Sequence, residues 1–414
     1  MKKFIMSFIT VATLNFFIFP TGFTFLPSAL NSKMIVAGLG LAAFMYNTIR
    51  EHQLQVSRIV LVSGMLASLF SLWCLTAVTL TETYDMEYVW YIKSFFTWLL
   101  GAYACCVVMK VCTGKDDLAT LSKYIAIVCV FQCVMCLLID NVPFVSSLVD
   151  RFFDFGQDFM KRGGRLYGLA CALDSAGVRF SAMLLIIAHQ ISTNHDVGAS
   201  PRSITTYLLA FFITIGIGSS ISRTTVVGGA MGLAYMAVAN LGISKGGYVS
   251  SRQVRIFIVS VLTLSAVLVL AVYLYQSSQT FHENFRFGFE GFFNWAETGE
   301  FRTGSTDHLE TMWHWPETQR GWLIGEGIVG VYKTGSDIGY VNFVFYCGLV
   351  GLVLYSAYYV YNHLSLNGKY DRFGLMSLLM VALTFIIWTK VQTDIFFLDA
   401  LLFCARGDVK FYKR

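Results

Sequence analysis

Basic side chains suited to phosphate binding stand in small groups at the ends of apolar segments. Lys161, Arg162 and Arg165 surround a glycine pair shortly before an apolar run that begins at Val178. Ammonium and guanidinium groups make charge-assisted hydrogen bonds to phosphate oxygens, and a guanidinium can make two in parallel. A solvated basic turn beside anionic lipid head groups has the same composition, and both interpretations stay open.

Arg223 is a further cation, in a turn rich in Gly, Ser and Thr between two uncharged apolar runs. A charge at membrane depth is costly and usually has a partner or a water-filled cavity, so Arg223 is a candidate functional residue. The alternative is an arginine that reaches the membrane interface from a helix end.

A third group lies between Gln276 and Ser336, where charged and aromatic residues are mixed. Its titratable residues include Arg302, Asp307, His308 and Arg320, and its aromatic residues include Phe281, Phe285, Trp295, Trp313, Trp315 and Trp322. Aromatic walls with a few polar groups are typical of a ligand cleft, here one for carbohydrate. They are equally typical of an amphipathic segment that lies on a membrane, and composition alone does not separate the two.

The elements that must position these groups are membrane helices. The chain has 414 residues, of which 56% are hydrophobic and 13% charged, and a soluble domain could not bury so much apolar surface. A spanning helix needs about 20 mostly apolar residues, and about twelve runs approach that length. They are Phe4 to Phe19, Met34 to Ile49, Ile59 to Leu80, Val89 to Cys112, Tyr124 to Ile139, Val178 to Ile191, Ile204 to Gly218, Thr225 to Leu241, Ile256 to Tyr275, Gly339 to Tyr361, Phe373 to Trp388 and Ile395 to Cys404. We predict an all-α polytopic membrane protein with about 10 to 12 transmembrane helices, forming a single integral membrane domain over residues 1–414.

The basic residues between the runs predict the orientation. Those assigned to the cytoplasm are Lys2, Lys3, Arg50, Arg58, Lys110, Lys115, Lys123, Arg202, Lys245, Arg252, Arg255, Lys369, Arg372, Lys410, Lys413 and Arg414. The positive-inside rule then puts both termini in the cytoplasm and two long loops, about residues 140–177 and 276–336, on the opposite side. The first run lacks an obvious cleavage site, and we expect it to be a retained helix.

We expect neither a metal nor another cofactor. Cys133 and Cys136 form a CxxC spacing inside an apolar run, where a thiol packs as a small hydrophobe. His308 and His314 lie six positions apart, which does not place them on one helical face.

The order of several short motifs resembles that of the bacterial O-antigen polymerase and ligase superfamily. The motifs are Arg-Leu-Tyr-Gly at Arg165 to Gly168, Ser-Arg-Thr at Ser222 to Thr224, Gly-Glu-Gly at Gly325 to Gly327, Asp-Ile-Gly-Tyr at Asp337 to Tyr340, and Gly-Leu-Val-Gly at Gly348 to Gly351. The resemblance covers roughly residues 160 to 355 and fits the helix count. Each motif is weak alone, and their order and sidedness carry the resemblance.

The resemblance implies an enzyme of polysaccharide biosynthesis in the bacterial inner membrane. It would be a metal-independent glycosyltransferase that polymerises polyprenyl-pyrophosphate-linked repeat units into O-antigen, capsular or exopolysaccharide at the periplasmic face. Its implied partners are the lipid-linked donor and acceptor, the bilayer, a chain-length regulator and a flippase, with no nucleic acid. The ligase branch usually has His-Asn-x-Tyr where this chain has Asp337 to Tyr340, so transfer of glycan to a lipid A core or another acceptor is the second interpretation.

For this reaction the sequence offers cations, a base and a sugar contact. Arg165, Arg223 and Arg302, with Arg320 as alternate, would stabilise the charge that grows on a departing pyrophosphate. Asp337 is the expected general base, with His308 and Asp307 as second choices, and Tyr340 would orient Asp337 or the sugar. Asp337 could also cap the following helix, and the two roles are compatible.

A transporter or flippase of the same lipid-linked glycan is an alternative of a different class. Transporters carry substrate-binding charges near the bilayer midplane, often in two related halves. Lys93 is the clear charge within an apolar run and the halves do not repeat, which favours the enzyme.

Overall fold

The computed structural model describes residues 2–54, 56–162, 164–240 and 250–407, and most of them are helical. Of the residues used above, Gly163, Leu241, Lys245, Lys410, Lys413 and Arg414 lie outside these ranges. The first ten helices are α1 (Lys2–Ile18), α2 (Ser32–Glu51), α3 (Arg58–Thr81), α4 (Tyr91–Thr113), α5 (Leu118–Asn141), α6 (Pro143–Phe152), α7 (Gln157–Arg162), α8 (Leu173–Thr193), α9 (His195–Ala199) and α10 (Pro201–Ile221). The others are α11 (Thr224–Asn240), α12 (Ser251–Ser277), α13 (Gln279–Gly288), α14 (Glu290–Thr298), α15 (Gly304–Glu310), α16 (Gln319–Ile324), α17 (Val331–Thr334), α18 (Gly339–Ser365), α19 (Gly374–Trp388) and α20 (Phe396–Cys404). Strands β1 (Gly22–Phe23) and β2 (Phe153–Asp154) pair antiparallel, with Gly22 opposite Asp154.

The predicted fold class, an all-α polytopic membrane protein, is confirmed. Within the described ranges, seven helices are long and apolar enough to cross a membrane: α2, α3, α4, α5, α10, α12 and α18. The remaining predicted runs correspond to α1, α8, α11, α19 and α20, which are shorter or, in α8, more polar. In lipid a backbone must satisfy its own hydrogen bonds, which is why uncharged runs of this length become helices.

The two predicted loops contain secondary structure. Residues 140–177 include α6, β2 and α7, and residues 276–336 include α13 to α17. The chain divides into two compact units: unit 1 holds Met1–Val36 and Cys105–Phe293, and unit 2 holds Ala37–Ala104 and Asn294–Arg414.

In unit 1, α8 is the central helix and is buried on nearly all sides. It packs against α5, α10 and α11. Gly228 of α11 lies directly on Ser181 of α8, whose hydroxyl donates a hydrogen bond to the carbonyl of Thr224 at 2.7 Å. Small residues allow such close approach, which is how membrane helices gain packing energy without a hydrophobic drive.

In unit 2, α18 packs against α3, α16 and α19, and its contacts with α3 and α19 include aromatic rings. The ring of Tyr355 stacks on Phe70, with centroids 4.4 Å apart, and on Trp388 at 5.3 Å. Stacked and edge-on aromatic pairs add about 0.5–1.5 kcal/mol beyond burial of area, so this cluster fixes α18 in place.

Helix α18 is broken at Gly348, and other segments of unit 2 bind the carbonyl groups that the break exposes. Gly348 has φ +65°, outside the helical range. The amides of Glu326 and Gly327 donate to the carbonyls of Phe345 and Tyr346, at 2.6 and 3.2 Å. The carbonyl of Cys347 accepts from the indole of Trp73 at 2.8 Å. Irregular backbone at membrane depth is tolerated when protein groups satisfy it in this way.

The glycines of two motifs make this arrangement sterically possible. A Cβ on Gly325 would lie 2.5 Å from the carbonyl oxygen of Tyr346, and a Cβ on Gly348 would overlap the backbone of Leu323. A Cβ on Gly351 would overlap Cys347. The Gly-Glu-Gly and Gly-Leu-Val-Gly motifs therefore have a structural role, because they let two backbones meet.

Replacement of Gly325 by alanine should destabilise unit 2 more than replacement of Gly330. Both glycines have similar backbone angles that alanine adopts only at a cost of about 1–3 kcal/mol. Only Gly325 has a backbone within contact of the added methyl, since nothing lies within 4 Å of a Cβ on Gly330. Thermal unfolding of the purified variants in detergent measures the difference. Equal midpoints for Gly325→Ala and Gly330→Ala would contradict the role assigned to the close approach.

Candidate functional site

The Ser-Arg-Thr turn of unit 1 is held by a carboxylate at the start of α8. The hydroxyls of Ser222 and Thr224 donate to the same oxygen of Asp174, at 3.3 and 3.2 Å. A Cβ on Gly177 would overlap Ser222, so this turn packs directly on α8. These contacts fix the backbone on both sides of Arg223.

The Arg223 side chain is held by the segment that follows α12. Its Nε donates to the carbonyl of Phe287 at 3.0 Å, its guanidinium pairs with Glu290, and its Cζ lies 4.3 Å from the centroid of the Phe287 ring. The Arg223 side chain is only 22% exposed and that of Glu290 28%, so this is a partly buried ion pair. Of the two interpretations given for Arg223, the structure supports the one in which the cation has partners within the protein.

Arg165 lies close enough to Arg223 for the two charges to interact. Burial lowers the pKa of Arg223, the charges of Glu290 and Asp174 raise it, and the charge of Arg165 lowers it. The Arg165 side chain is exposed, and among the described residues its guanidinium has no hydrogen-bond or ion-pair partner. Unit 1 thus contains one cation that protein groups hold in position and, within electrostatic reach of it, a second cation that no described residue neutralises.

The other two cations of the first basic group are engaged locally. Lys161 pairs with Asp150, and this hydrogen bond raises the pKa of Lys161. Nε of Arg162 donates to the carbonyl of Asp158 at 3.3 Å within α7. Of the three, Arg165 is the one whose charge stands next to Arg223.

In unit 2, Arg302 is neutralised by its own surroundings. Its Nε contacts Asp307 at 2.8 Å and its NH2 contacts Glu310 at 2.9 Å, and all three side chains are well exposed. Asp307 is therefore also committed to an ion pair. Arg320 differs, because its NH2 donates to the backbone carbonyl of Leu80 and no carboxylate is paired with it in the described ranges.

Asp337 is exposed at the start of α18, on a backbone that is rigidly held. The Asn342 side chain accepts from the Gly330 amide at 2.8 Å and donates to the Ser336 carbonyl at 2.7 Å. The Asp337 amide contacts the Met312 sulfur at 3.5 Å. Ile338 occupies the N-cap position and no side chain caps the helix, so Asp337 does not have the capping role that its position suggested.

Two further candidates, Tyr340 and His308, form no hydrogen bond to the Asp337 carboxylate. The hydroxyl of Tyr340 donates to the carbonyl of Phe385 at 3.1 Å, and its ring packs edge-on to Trp388. Tyr340 therefore anchors α18 to α19. His308 is exposed in α15.

Three tryptophans of unit 2, Trp313, Trp315 and Trp322, form a cluster that precedes Asp337 along the chain. The rings of Trp315 and Trp322 stack with centroids 5.3 Å apart, and Trp313 lies 5.8 Å from Trp315. The intervening His314 is hydrogen-bonded to the carbonyl of Thr334, two residues before Ser336. The cluster is thus attached to the segment that leads into α18.

Several polar residues within helices were missed by the sequence reasoning. Arg179 lies in α8, where its Cζ is 5.8 Å from the ring of Phe19. His363 and Asp399 are fully buried, and Nδ1 of the histidine lies 2.9 Å from a carboxylate oxygen of Asp399. Lys93 is therefore not alone as a charge within an apolar run. In the described part of the chain, no group of three or more His, Cys, Asp or Glu side chains is arranged to hold a metal ion.

Loss of the Glu290 charge should destabilise unit 1, whereas loss of the Glu310 charge should not. Glu290→Gln leaves a partly buried guanidinium without its counter-ion, at a cost of about 1–3 kcal/mol. Glu310→Gln removes one contact of the exposed Arg302, which keeps Asp307. Thermal unfolding of both variants in detergent tests this, and an unchanged midpoint for Glu290→Gln would show that the pair is not structural.

Comparison with protein-family models, with curated proteins and with solved structures finds no match to this chain. The resemblance drawn from the five motifs therefore stays a prediction. What can be argued about function rests on the side chains just described.

Proposed function

We propose that the protein is a glycosyltransferase of polysaccharide assembly that transfers glycan from a polyprenyl-pyrophosphate carrier. In its most specific form, it polymerises repeat units at the outer face of a bacterial inner membrane. The proposal joins the motif resemblance to the cation pair of unit 1, and that pair is the single observation that carries it.

Two like charges held close together raise the energy of a protein unless an anion joins them. Arg223 is kept in position by Glu290, by the Phe287 carbonyl and by a turn fixed on Asp174. Arg165 adds a charge that no described residue neutralises. A diphosphate would supply the counter-charge that Arg165 lacks, and its negative charge increases as the sugar–phosphate bond breaks, so fixed cations favour the transition state over the ground state.

For the base we retain Asp337, because Asp307 is paired with Arg302 and Asp337 is paired with no described residue. A carboxylate without a cationic partner is free to accept the proton of an acceptor hydroxyl. Among the cations of unit 2, Arg320 is preferred to Arg302 for the same reason. The tryptophan cluster of Trp313, Trp315 and Trp322 supports a carbohydrate ligand, since such rings cover the apolar faces of sugars.

A ligase that delivers the glycan to a different acceptor would need the same cations and differs in its product. A transporter is favoured by one observation, the buried pair of His363 and Asp399, because buried titratable groups inside membrane helices often mark ion pathways. Deletion of the gene separates the classes: loss of a polymerase leaves single repeat units on the carrier outside, and loss of a flippase leaves them inside.

Arg165→Ala should abolish polymer while the protein remains at its normal level in the membrane. The side chain is exposed and bonds to no described residue, so its removal should not unfold the chain, and loss of one charge-stabilising group costs about a hundredfold or more in rate. The readouts are glycan length on gels and protein level by immunoblot. Arg302→Ala is the matched control and should retain polymer.

Asp337→Asn should lower the rate by about a hundredfold or more if Asp337 removes the acceptor proton. Asp307→Asn, which removes a carboxylate already paired with Arg302, should have little effect. The measurement is the initial rate of transfer between purified lipid-linked repeat units. A larger loss with Asp307→Asn would reverse the assignment of the base.

A further inference from the structure

Unit 1 contains a cavity of about 310 Å³ whose lining residues are all apolar. Helix α6 forms one wall with Val145, Leu148 and Val149, and β2 contributes Phe153. Leu169, just after the Arg-Leu-Tyr-Gly motif, forms another part of the lining. The cavity can be reached from the surface, because Leu148 on its rim is 45% exposed.

Helix α6 has the character of a helix that lies on a membrane. Phe144, Leu148 and Phe152 are exposed on it although they are large and apolar, while Asp150 and Arg151 supply polar groups. Such a helix places its apolar face at the boundary between head groups and acyl chains. The cavity beneath it would then open towards the hydrocarbon of the bilayer.

The cavity and Arg165 belong to one packed structure. The amide of Arg165 donates to the carbonyl of Met160 at 3.0 Å. Met160 packs in a cluster with Val149 and Leu169, both of which line the cavity. The carbonyl of Leu169 accepts from the side chain of Gln132 at 2.9 Å, so the segment that joins cation and cavity is fixed.

We propose that this cavity binds the isoprene units nearest the diphosphate of a lipid carrier whose diphosphate is held by Arg165 and Arg223. The inference rests on the proposed function and adds the place of the tail. Arg165, a cation that no described residue neutralises, is connected to a purely apolar cavity through one packed cluster. A ligand with an anionic head group and an apolar chain matches this combination. Each isoprene unit has a planar double bond and a methyl branch, which suit a wall that includes the rings of Phe152 and Phe153.

Binding to the purified full-length chain in detergent tests the inference with two probes, undecaprenyl diphosphate and inorganic pyrophosphate. Leu148→Trp places a bulky ring at the rim of the cavity, where the exposed position tolerates it. It should raise the Kd of undecaprenyl diphosphate about tenfold, the effect of losing burial of about two methylene groups, and leave the Kd of pyrophosphate unchanged. Val149→Phe, which fills the cavity from inside, should do the same.

Phe144→Trp is the matched control, because Phe144 lies on α6 without lining the cavity. It should change neither Kd. The inference is overturned if Leu148→Trp and Val149→Phe leave both affinities unchanged, or if they weaken both probes equally. It is also overturned if they displace co-purified phospholipid while undecaprenyl diphosphate binds as before, since the cavity would then hold an acyl chain of the bilayer.

The same binding measurements test the proposed diphosphate site independently of the cavity. If Arg165→Ala and Arg223→Ala bind both probes as tightly as the wild type, the cations do not hold a diphosphate. If those variants lose both probes while the cavity variants keep them, the diphosphate site stands and the tail lies elsewhere.

Discussion

The constraint on which this structure depends is that lipid offers no hydrogen bonds to an exposed backbone. Wherever the helical pattern is interrupted, other groups of the protein must satisfy the amides and carbonyls. At Gly348 the partners are the amides of Glu326 and Gly327 and the indole of Trp73. At the start of α18 they are the side-chain oxygen and nitrogen of Asn342. Each interruption therefore brings distant segments of the chain to one place.

Among the candidate residues, Arg223 is the one that side-chain contacts hold most firmly. In the turn between α10 and α11, the hydroxyls of Ser222 and Thr224 donate hydrogen bonds to Asp174. The charge of Arg223 in that turn is balanced by Glu290. A partly buried ion pair is costly to form and costly to break, so it is weak evidence for stability but good evidence for a fixed geometry. Fixed geometry is what stabilisation of a developing charge requires, because no energy is then spent on reorganisation during the reaction.

The fold class followed from the sequence because hydropathy over about 20 residues is a strong signal. Arg165 and Arg223 could be selected because they stand beside apolar runs and outside the basic segments that the positive-inside rule assigns to the cytoplasm. The partner of Arg223 could not be predicted from the sequence. Glu290 is one of many acidic residues in a segment of mixed charge, and only the fold brings it to Arg223. His363 and Asp399 were missed for a related reason, since each stands alone in an apolar context and becomes a pair only when α18 and α20 pack together. The role of Gly325 needed the kink at Gly348, which no periodicity indicates.

The motifs that suggested a family divide into two physical kinds. Gly-Glu-Gly and Gly-Leu-Val-Gly form the break in α18, and any chain with such a break needs small residues at these positions whatever reaction it performs. Arg-Leu-Tyr-Gly and Ser-Arg-Thr instead present cations, of which Arg223 is also bound within the fold by Glu290, whereas Arg165 bonds to no described residue. It follows that the glycine motifs carry no information about the reaction, and the proposed reaction rests on Arg165, Arg223 and Asp337. Evidence from those three side chains therefore weighs more for function than any further agreement among the glycines.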